Sequence, residues 1–394
     1  MRAVYIVAAK RTPFGKFGGS LASISATDLC VHSTRAALAA AKLRPEDVDS
    51  VNVGNVCSVS SNDGAYSARH IALKSGMKIS TPAMNVNRLC GSGFQSVVSS
   101  ALDIMSGEAE IAVGAGTENM SQFPFVVRDV RFGTKLGANY NFEDTLWTSL
   151  TDQYCKLPMG LTAENLAKKY NITRQQCDEY AVQSQQRYAK ALAEGAFVEE
   201  IAPIEIKSRK GPVTLSHDEH PKPDTTLESL AKLPLVFSKD GTINAGNASG
   251  ISDGAGSIVL ASEEALKKFN LTPLARLVAW HSEGVDPSIM GIGPVPAIKG
   301  ALKKAQLSLN DIDLIDINEA FAPQWLAVAA ELGLDINKVN VNGGAIAVGH
   351  PLAASGSRIT AHLVHELRRK GLKRAVGSAC IGGGQGIALV LERV

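Results

Sequence analysis

The segment Met84-Asn-Val-Asn-Arg-Leu-Cys90-Gly-Ser-Gly-Phe-Gln-Ser-Val-Val-Ser-Ser-Ala-Leu-Asp-Ile-Met-Ser-Gly107 predicts a strand that runs into a helix, with a cysteine at the junction. A short apolar run reaches Cys90, Gly91 and Gly93 permit a tight backbone, and a helical apolar pattern continues until Gly107 ends it. The free N–H groups and dipole at a helix start favour a thiolate, so a thiol with a pKa of about 8.5 would ionise near neutral pH. The segment predicts a nucleophilic cysteine, although a buried cysteine beside a glycine turn is an equally simple interpretation.

The composition indicates a globular protein of two or three domains, with 394 residues of which 45% are apolar and 20% are charged. The 40 basic and 38 acidic residues nearly cancel, so we expect neither nucleic acid nor an anionic membrane surface as a partner. The six cysteines are widely spaced without a C-x-x-C pair, which favours a reducing compartment over a disulfide scaffold or a zinc site. No apolar run approaches the roughly 18 residues of a transmembrane helix, and no secretory signal opens the sequence.

The first 27 residues resemble a mitochondrial transit segment in composition. They contain Arg2, Lys10, Arg11 and Lys16 with several serines and no acidic residue. Residues 3–9 also predict the first strand of the core, so a targeting segment here would remain on the protein. We expect a mitochondrial protein with an uncleaved start, with the cytoplasm as the alternative.

Internal similarity predicts two related α/β halves. Residues 37–49 resemble residues 301–313, and in both a helix ends and a polar turn leads to a strand; two shorter matches follow in the same order, residues 85–87 with 340–342 and residues 112–114 with 375–377.

The halves differ by an insertion between the last two strands of the first half. Residues 256–260 resemble residues 386–389, but Val113 and Ile258 are 145 residues apart, whereas their counterparts Val376 and Ile387 are 11 apart. The insertion has helical patterns near residues 162–196 and a polar stretch from Lys207 to Thr226, which predicts a ligand-binding loop domain. The predicted units are an N-terminal half of residues 1–120 and 246–270, an inserted domain of residues 121–245 and a C-terminal half of residues 271–394.

Alternating strands and helices predict mostly parallel sheets, with ligands bound beyond the carboxyl ends of the strands. Cys90 follows the third strand of the first half, and we expect Asn318, His350 and Cys380 to follow successive strands of the second. Taken alone, His350 could be a histidine of the core, and the pair Asn318-Glu319 could simply form a turn. Together with the free amides of the glycines at residues 382–386, these side chains form the set that acyl transfer requires.

Two other interpretations of these residues are weaker. The glycine run at residues 382–386 is followed by an extended apolar run and not by a helix, which argues against a dinucleotide site. The remaining cysteines, Cys30, Cys57, Cys155 and Cys177, lack convergent partners in sequence and are predicted to be structural.

Four segments resemble the thiolase family, in order and over nearly the whole chain: residues 87–93 around Cys90, Asn318-Glu-Ala-Phe321, Gly349-His350-Pro351 and Cys380-Ile-Gly382. The resemblance implies an α/β fold in which two repeated halves form a layered αβαβα core with an inserted loop domain. It also implies an acyltransferase of the mitochondrial matrix that cleaves 3-ketoacyl-CoA with CoA, reversibly, as in fatty acid β-oxidation. CoA would be a co-substrate, and no cofactor would be bound permanently. A homodimer or homotetramer is implied, and residues 122–137 resemble the loop through which tetrameric members associate.

The resemblance also implies roles for individual residues. Cys90 would attack the 3-keto carbon and carry the acyl group, and Cys380 would protonate the departing enolate and later deprotonate CoA. His350 would activate Cys90 and, with a water held by Asn318, form one oxyanion site; the N–H groups of Cys90 and Gly382 would form the other.

For the substrate and CoA, the implied contacts are Ser249 near the pantetheine, Lys222 and Thr225 near the nucleotide, and Met159 and Phe321. Lys222 stands where close relatives have arginine, which keeps the charge but loses the planar fork. Ala353 replaces a usual glycine and requires a negative φ.

Two alternatives use the same fold. Decarboxylating ketoacyl synthases pair the cysteine with two histidines, and Cys380 in place of the second histidine argues against them. A non-enzymatic lipid-binding or scaffold protein would be expected to have lost Cys90 or His350, and both are present.

Overall fold

A computed structural model of the protein describes residues 2–208 and 211–394. Met1 and residues 209–210, the latter within the predicted polar stretch, lie outside the described residues. The strands are β1 (Val4–Arg11), β2 (Gly15–Lys16), β3 (Ser50–Gly54), β4 (Ala83–Val86), β5 (Ile111–Asn119), β6 (Phe125–Val126), β7 (Glu143–Asp144), β8 (Thr151–Asp152), β9 (Leu157–Pro158), β10 (Ile204–Ser208), β11 (Gly211–Leu215), β12 (Ser252–Ser262), β13 (Ala275–Gly284), β14 (Leu314–Ile317), β15 (Arg374–Ile381) and β16 (Gln385–Arg393). The helices are α1 (Ala26–Ala40), α2 (Ser67–Ser75), α3 (Ser92–Ser106), α4 (Thr145–Ser149), α5 (Met159–Tyr170), α6 (Arg174–Ala193), α7 (Leu227–Ala231), α8 (Glu263–Phe269), α9 (Pro294–Ala305), α10 (Ala322–Leu332), α11 (Ala345–Val348) and α12 (Ser355–Arg369).

One large sheet runs through both halves of the chain, in the order β14-β15-β16-β13-β1-β12-β5-β3-β4, and β2 pairs with β12. The halves join where β1 pairs with β12 on one side and with β13 on the other, the latter through Tyr5 opposite Arg276 and Ile6 opposite Ala275. The prediction of mostly parallel strands is wrong, because within this sheet only β3 with β4, β3 with β5 and β14 with β15 pair in parallel. The last two strands of each half are antiparallel neighbours, which the alternation of strands and helices did not reveal.

The apolar side chains divide the molecule into five layers. Helices α3 and α12 lie in the middle and pack, through residues such as Val97 and Leu363, against one face of the strands of both halves. The opposite face carries α1 and α2 in the first half and α9 and α10 in the second. Along β5, Ala112 faces the middle layer and Val113 the outer layer, as the period of two requires. The predicted layered αβαβα fold is confirmed.

The inserted segment leaves the core after β5 and returns at β12. These two strands pair over their whole length, with Val113 opposite Val259, just as β15 pairs with β16 with Val376 opposite Val390. Between them lie α5 and α6, within the region where the pattern predicted helices. The boundaries of the three units remain a prediction.

Two expectations about the second half are corrected. Cys380 lies inside β15 rather than after a strand. His350 follows α11, and the residues before it make only an isolated bridge between Ile315 and Val339, because the chain turns at Asn340, whose φ is 48°. In the part of the chain that the structure describes, no helix has the length and apolar character to cross a membrane.

Candidate active site

Cys90 lies at a sharp bend between β4 and α3. Leu89, immediately before it, has a φ of 46°, in the left-handed region that side chains with a Cβ rarely adopt. Residues 89–91 form a single 3-10 turn, and α3 begins at Ser92. Cys90 is therefore half-buried just before the N-terminal end of α3. The strand-to-helix junction expected from the sequence is present, with its backbone strain at Leu89.

The glycines beside Cys90 permit close packing rather than an unusual backbone. Gly91 has a φ of −87°, which any residue adopts. A Cβ on Gly91 would lie 2.5 Å from Ile381 Cδ1, and one on Gly93 would lie 2.5 Å from the carbonyl oxygen of Ala353. Both neighbours belong to the second half of the chain. These glycines therefore let the second half approach Cys90 closely, a reason that the sequence pattern of the first half alone could not supply.

The Cys90 thiol is not ionised by its position alone. Burial raises the pKa of Cys90 to about 11, although the N–H groups of Gly382 and of Cys90 itself face the sulfur and lower the pKa, and the Glu118 carboxylate adds to the rise. The expectation of a thiolate near neutral pH in the free protein is therefore corrected, because desolvation outweighs the helix start. Ionisation requires a base to take the proton.

His350, which lies on the same cavity wall as Cys90, has the protonation state that a base requires. Its ring is buried, and burial, followed by the charge of Arg358, lowers the pKa of His350 to about 3, so the ring is neutral at pH 7. Ser355 Oγ lies 2.6 Å from Nδ1 and donates its proton to Pro351 O at 3.3 Å. A tautomer with its hydrogen on Nδ1 satisfies both contacts and leaves Nε2 as the acceptor.

Asn318 lies directly beside the imidazole. Its Nδ2 is 3.3 Å from Nε2 of His350. Asn318 directly follows β14, and its backbone N–H donates to Ser378 O on β15. The side chain is fully buried, and Asn318 Oδ1 has no hydrogen-bond partner among the described residues. A buried acceptor of this kind suits a bound water or a polar group of a ligand.

Cys380 is the more deeply buried of the two central thiols. It is 0% exposed and packs with Met290 and Ala320, against which Met159 and Phe321 also lie. Burial raises the pKa of Cys380 strongly, and the nearby Cys90 raises it further. Cys380 therefore stays protonated at neutral pH and can act as an acid.

Beside these groups lies a cavity of about 810 Å³ with largely apolar walls, although Asn318 is not among its lining residues and Cys380 lies behind Met290 and Ala320, which are. Cys90 and His350 lie on its wall together with four of the predicted contacts, Lys222, Ser249, Met159 and Phe321. Thr225 is not among the lining residues, because its hydroxyl donates to Lys222 O at 2.7 Å and caps its own turn. Gly382 lies just behind the wall, where a Cβ would be 3.2 Å from Met159 Sδ. Ala353 is accommodated in a short 3-10 turn, without a positive φ.

Sequence reasoning missed two residues that organise this site. Ser355 carries no signal beyond its place at the start of α12. Glu118, the next-to-last residue of β5, is fully buried, and its carboxylate accepts the N–H groups of Val56, Cys57 and Ala353 at 3.0–3.3 Å. These bonds connect the loop after β3 to the turn after His350. A buried acid at a strand end was the available signal for Glu118. Cys57, predicted to be structural, packs in the same apolar cluster as Cys90.

Comparisons with known proteins agree along the whole chain. Residues 4–264 match the family model described as thiolase, N-terminal domain, and residues 271–393 match thiolase, C-terminal domain. The chain is 64% identical to the mitochondrial 3-ketoacyl-CoA thiolase of Mus musculus over 392 residues, which cover 100% of this chain and 98% of that protein. The crystal structure of human mitochondrial 3-ketoacyl-CoA thiolase superposes with a TM-score of 0.99 at 62% identity, covering 100% and 99% of the two chains. The same human protein in complex with CoA gives a TM-score of 0.98 at 61% identity, covering 100% and 98%.

Proposed function

The chain belongs to the thiolase family, and from this we infer that it cleaves 3-ketoacyl-CoA with CoA, giving acetyl-CoA and an acyl-CoA shortened by two carbons. The reverse direction is a Claisen condensation of acetyl-CoA with an acyl-CoA. The observation that carries the proposal is that Cys90 and the neutral His350 lie on the wall of one largely apolar cavity, while the protonated Cys380 packs against Met290 and Ala320, which line the same cavity. We propose CoA as the co-substrate, since a relative at 61% identity has been crystallised with it.

The first half-reaction transfers the acyl group to Cys90. Nε2 of His350 takes the thiol proton and the sulfur attacks the 3-keto carbon, which forms a C–S bond and an oxyanion. Collapse of this intermediate breaks the bond between C2 and C3, and Cys380 gives its proton to C2 of the departing acetyl-CoA enolate. The acyl group then rests on Cys90 as a thioester, and Cys380 is left as a thiolate.

The second half-reaction returns both thiols to their starting state. Cys380 takes the proton of the CoA thiol, whose sulfur attacks the thioester on Cys90. The thiolate of Cys90 leaves and regains its proton from His350. We assign one oxyanion site to the N–H groups of Cys90 and Gly382, which face the Cys90 sulfur, and the other to Nε2 of His350 with a water at Asn318.

We also propose a mitochondrial location and a homodimeric or homotetrameric assembly. The location is supported by the names of close relatives and by the basic start of the chain. We propose that this N-terminal segment is not cleaved, because it contains β1, which pairs with β12 on one side and with β13 on the other. The assembly is supported by residues 122–137, where Phe132 is 99% exposed and Leu136 is fully exposed. Mass photometry of the wild type and of a variant lacking residues 129–137 tests the assembly, with a smaller species expected for the deletion.

Mass spectrometry of the intact protein tests the activity. After brief incubation with an acyl-CoA, one acyl adduct is expected on the wild type and none on Cys90→Ala. An adduct that persists in Cys90→Ala would remove Cys90 from the mechanism. Thiolysis assays with 3-ketoacyl-CoAs of increasing chain length then identify the substrate range, and failure to cleave any of them would overturn the proposed function.

A further inference from the structure

His220 lies on the wall of the cavity with Lys222 and Ser249, and the assignments above give it no role. Its Nδ1 is 3.0 Å from Ala347 O. The ring packs against Gly250, where a Cβ would lie 2.0 Å from Nε2. Because Gly250 O in turn accepts the N–H of His350 at 2.8 Å, the imidazole rests on the segment that holds the proposed base.

The contacts of His220 determine which ring nitrogen carries the proton. A carbonyl oxygen only accepts, so the contact with Ala347 O requires a hydrogen on Nδ1. Burial lowers the pKa of His220, and the charge of Lys222 lowers it further, so the ring is neutral at pH 7. Nε2 is then an acceptor. Within residues 2–208 and 211–394, Nε2 makes no hydrogen bond. It is also not a fully buried atom, so it is open to the cavity that His220 lines.

We propose that Nε2 of His220 accepts a hydrogen bond from an amide N–H of the pantetheine arm of CoA, an inference that rests on the proposed function. Pantetheine has two amide N–H donors, and the cavity that His220 lines also has the apolar side chains of Phe237, Phe321 and Met159 on its walls. An amide donor enclosed there without an acceptor would weaken binding, because it gives up its hydrogen bond to water and gains none in return. The lone pair of an acceptor nitrogen repels the negative oxygens of phosphate, so Nε2 of His220 would bind the pantetheine arm of CoA and not its phosphates. The positive charge of Lys222 would instead attract the phosphates.

The substitution His220→Asn separates the two nitrogens of the ring. The Asn Nδ2 replaces Nδ1 and keeps the bond to Ala347 O, but nothing replaces Nε2. Titration calorimetry with CoA and with pantetheine, which has both amides and no phosphate, is expected to show weaker binding of both ligands by a similar factor. One neutral hydrogen bond corresponds to a loss of roughly 2- to 10-fold. The loss should be the same at low and high salt, because no charge is removed.

Two further variants control for the substitution itself. His217→Asn changes an exposed histidine on the same segment outside the cavity, and it is expected to bind both ligands like the wild type. His220→Gln places an amide near the position of Nε2 and is expected to recover affinity. Wild-type affinity of His220→Asn for pantetheine would overturn the proposal, as would a loss confined to CoA and abolished by salt. These titrations need no turnover, so a wild type that binds CoA but cleaves no 3-ketoacyl-CoA would refute the function and leave His220 to be judged by pantetheine binding.

Discussion

Cys90 and Cys380 are the same chemical group in two different surroundings. The sulfur of Cys90 faces a cavity and two backbone N–H groups, whereas Cys380 is 0% exposed among apolar side chains. A nucleophile needs access to the substrate, and an acid needs to keep its proton until a carbanion forms beside it. The difference in burial therefore supports the assignment of Cys90 as the nucleophile and of Cys380 as the acid.

Replacement of Cys380 by serine is expected to abolish proton transfer at carbon while Cys90 stays reactive. A hydroxyl is too weak an acid near pH 7, and thiolysis should fall by the roughly 10² to 10⁴ typical of a lost general acid or base. NMR of acetyl-CoA in deuterated water should show deuterium entering the methyl group with the wild type and not with Cys380→Ser. Iodoacetamide should still modify Cys90 in the variant. Exchange at the wild-type rate would move this proton transfer to His350.

The pH dependence of alkylation tests the protonation of Cys90 in the free protein. Because burial raises the pKa of Cys90 to about 11, the thiolate fraction should increase about tenfold per pH unit from pH 7 to 10. The rate of inactivation by iodoacetamide should follow this increase. Cys90→Ala, followed by mass spectrometry, provides the background rate at the other cysteines. A plateau reached by pH 8 would mean that the helix start and the two N–H groups outweigh burial.

At the scale of elements, Glu319 connects α6 of the inserted segment to the core. Its buried carboxylate accepts Tyr180 Oη at 2.6 Å and Ser184 Oγ at 2.8 Å, both on α6, and the N–H of Ile346 on α11 at 3.0 Å. The same carboxylate accepts Asn340 Nδ2 at 3.2 Å. The neighbour of Asn318 in sequence is therefore an anchor between elements rather than a residue on the cavity wall.

Glu319→Gln is expected to destabilise the protein by about 2–6 kcal/mol. The amide NH₂ would face N–H and O–H donors and leave about two of them unpaired, at roughly 1–3 kcal/mol each. Urea unfolding measures the loss. Glu331→Gln is the matched control, because Glu331 is exposed and, among the residues that the structure describes, accepts a hydrogen bond only from Tyr170 Oη at 2.8 Å. Its effect should stay within about 0.5 kcal/mol. Equal effects of the two substitutions would contradict the anchoring role.

The segment that carries Lys222 is expected to contribute CoA affinity through charge. Lys222 is exposed at the cavity, and its backbone N–H is held by Gln185 Oε1 at 2.8 Å. Lys222→Ala should weaken CoA binding, and the loss should shrink at high salt because an exposed charge is screened. Lys232→Ala, which removes an exposed lysine paired with Glu228, is the control and should not change the affinity. Calorimetry at low salt that shows no change for Lys222→Ala would leave Lys222 without a role in binding.

Periodicity predicted the elements well and their connections less well. The extents of α3 and β14 follow from Gly107 and from residues 314–317 in the sequence. Periodicity did not predict the left-handed backbone at Leu89, which depends on how the surrounding chain packs. It also did not predict the turn at Thr225, where the hydroxyl donates to Lys222 O. Ser355 and His220 were missed for the same reason: a polar residue acquires its role from what the fold places beside it.

At the scale of the whole molecule, buried charges join the inserted segment to the core. Arg11, at the end of β1, is 0% exposed and contacts Glu200 at 2.7 Å and Asp218 at 2.6 Å, both from the insertion. Glu200 also contacts His362 on α12 at 2.8 Å, and these partners lower the pKa of Glu200 to about 2 against the effect of burial. Three parts of the chain thus meet at one ionic cluster.

Arg11→Leu is expected to destabilise the protein by about 3–5 kcal/mol, because it leaves the buried carboxylate of Asp218 without its cation and that of Glu200 with His362 alone. Urea unfolding followed by fluorescence and circular dichroism measures the change. Arg128→Leu removes an arginine whose side chain is 65% exposed and paired with Glu143, so its effect should be about 0–1 kcal/mol. A loss for Arg11→Leu no larger than that of the control would show that the cluster does not hold the insertion to the core.

The layered architecture of two related halves could be predicted because the sequence repeats itself. Matching segments such as residues 37–49 and 301–313 determine two equivalent halves, and the unequal spacing between Val113 and Ile258 locates the insertion. The strand directions were wrong, because a repeat specifies which elements correspond and not how neighbouring strands pair. The convergence of Cys90 and His350 on one cavity follows the predicted packing of the halves.

Because the two halves supply different reactive groups, the timing of synthesis matters. Cys90 leaves the ribosome 260 residues before His350. At elongation rates of about 5–20 residues per second, a nascent chain carries its nucleophile without its base for roughly 13–50 seconds. During that interval Gly91 and Gly93 also lack the neighbours Ile381 and Ala353 against which they pack. The reaction centre is therefore absent from every incomplete chain and forms only when the last strands join the sheet.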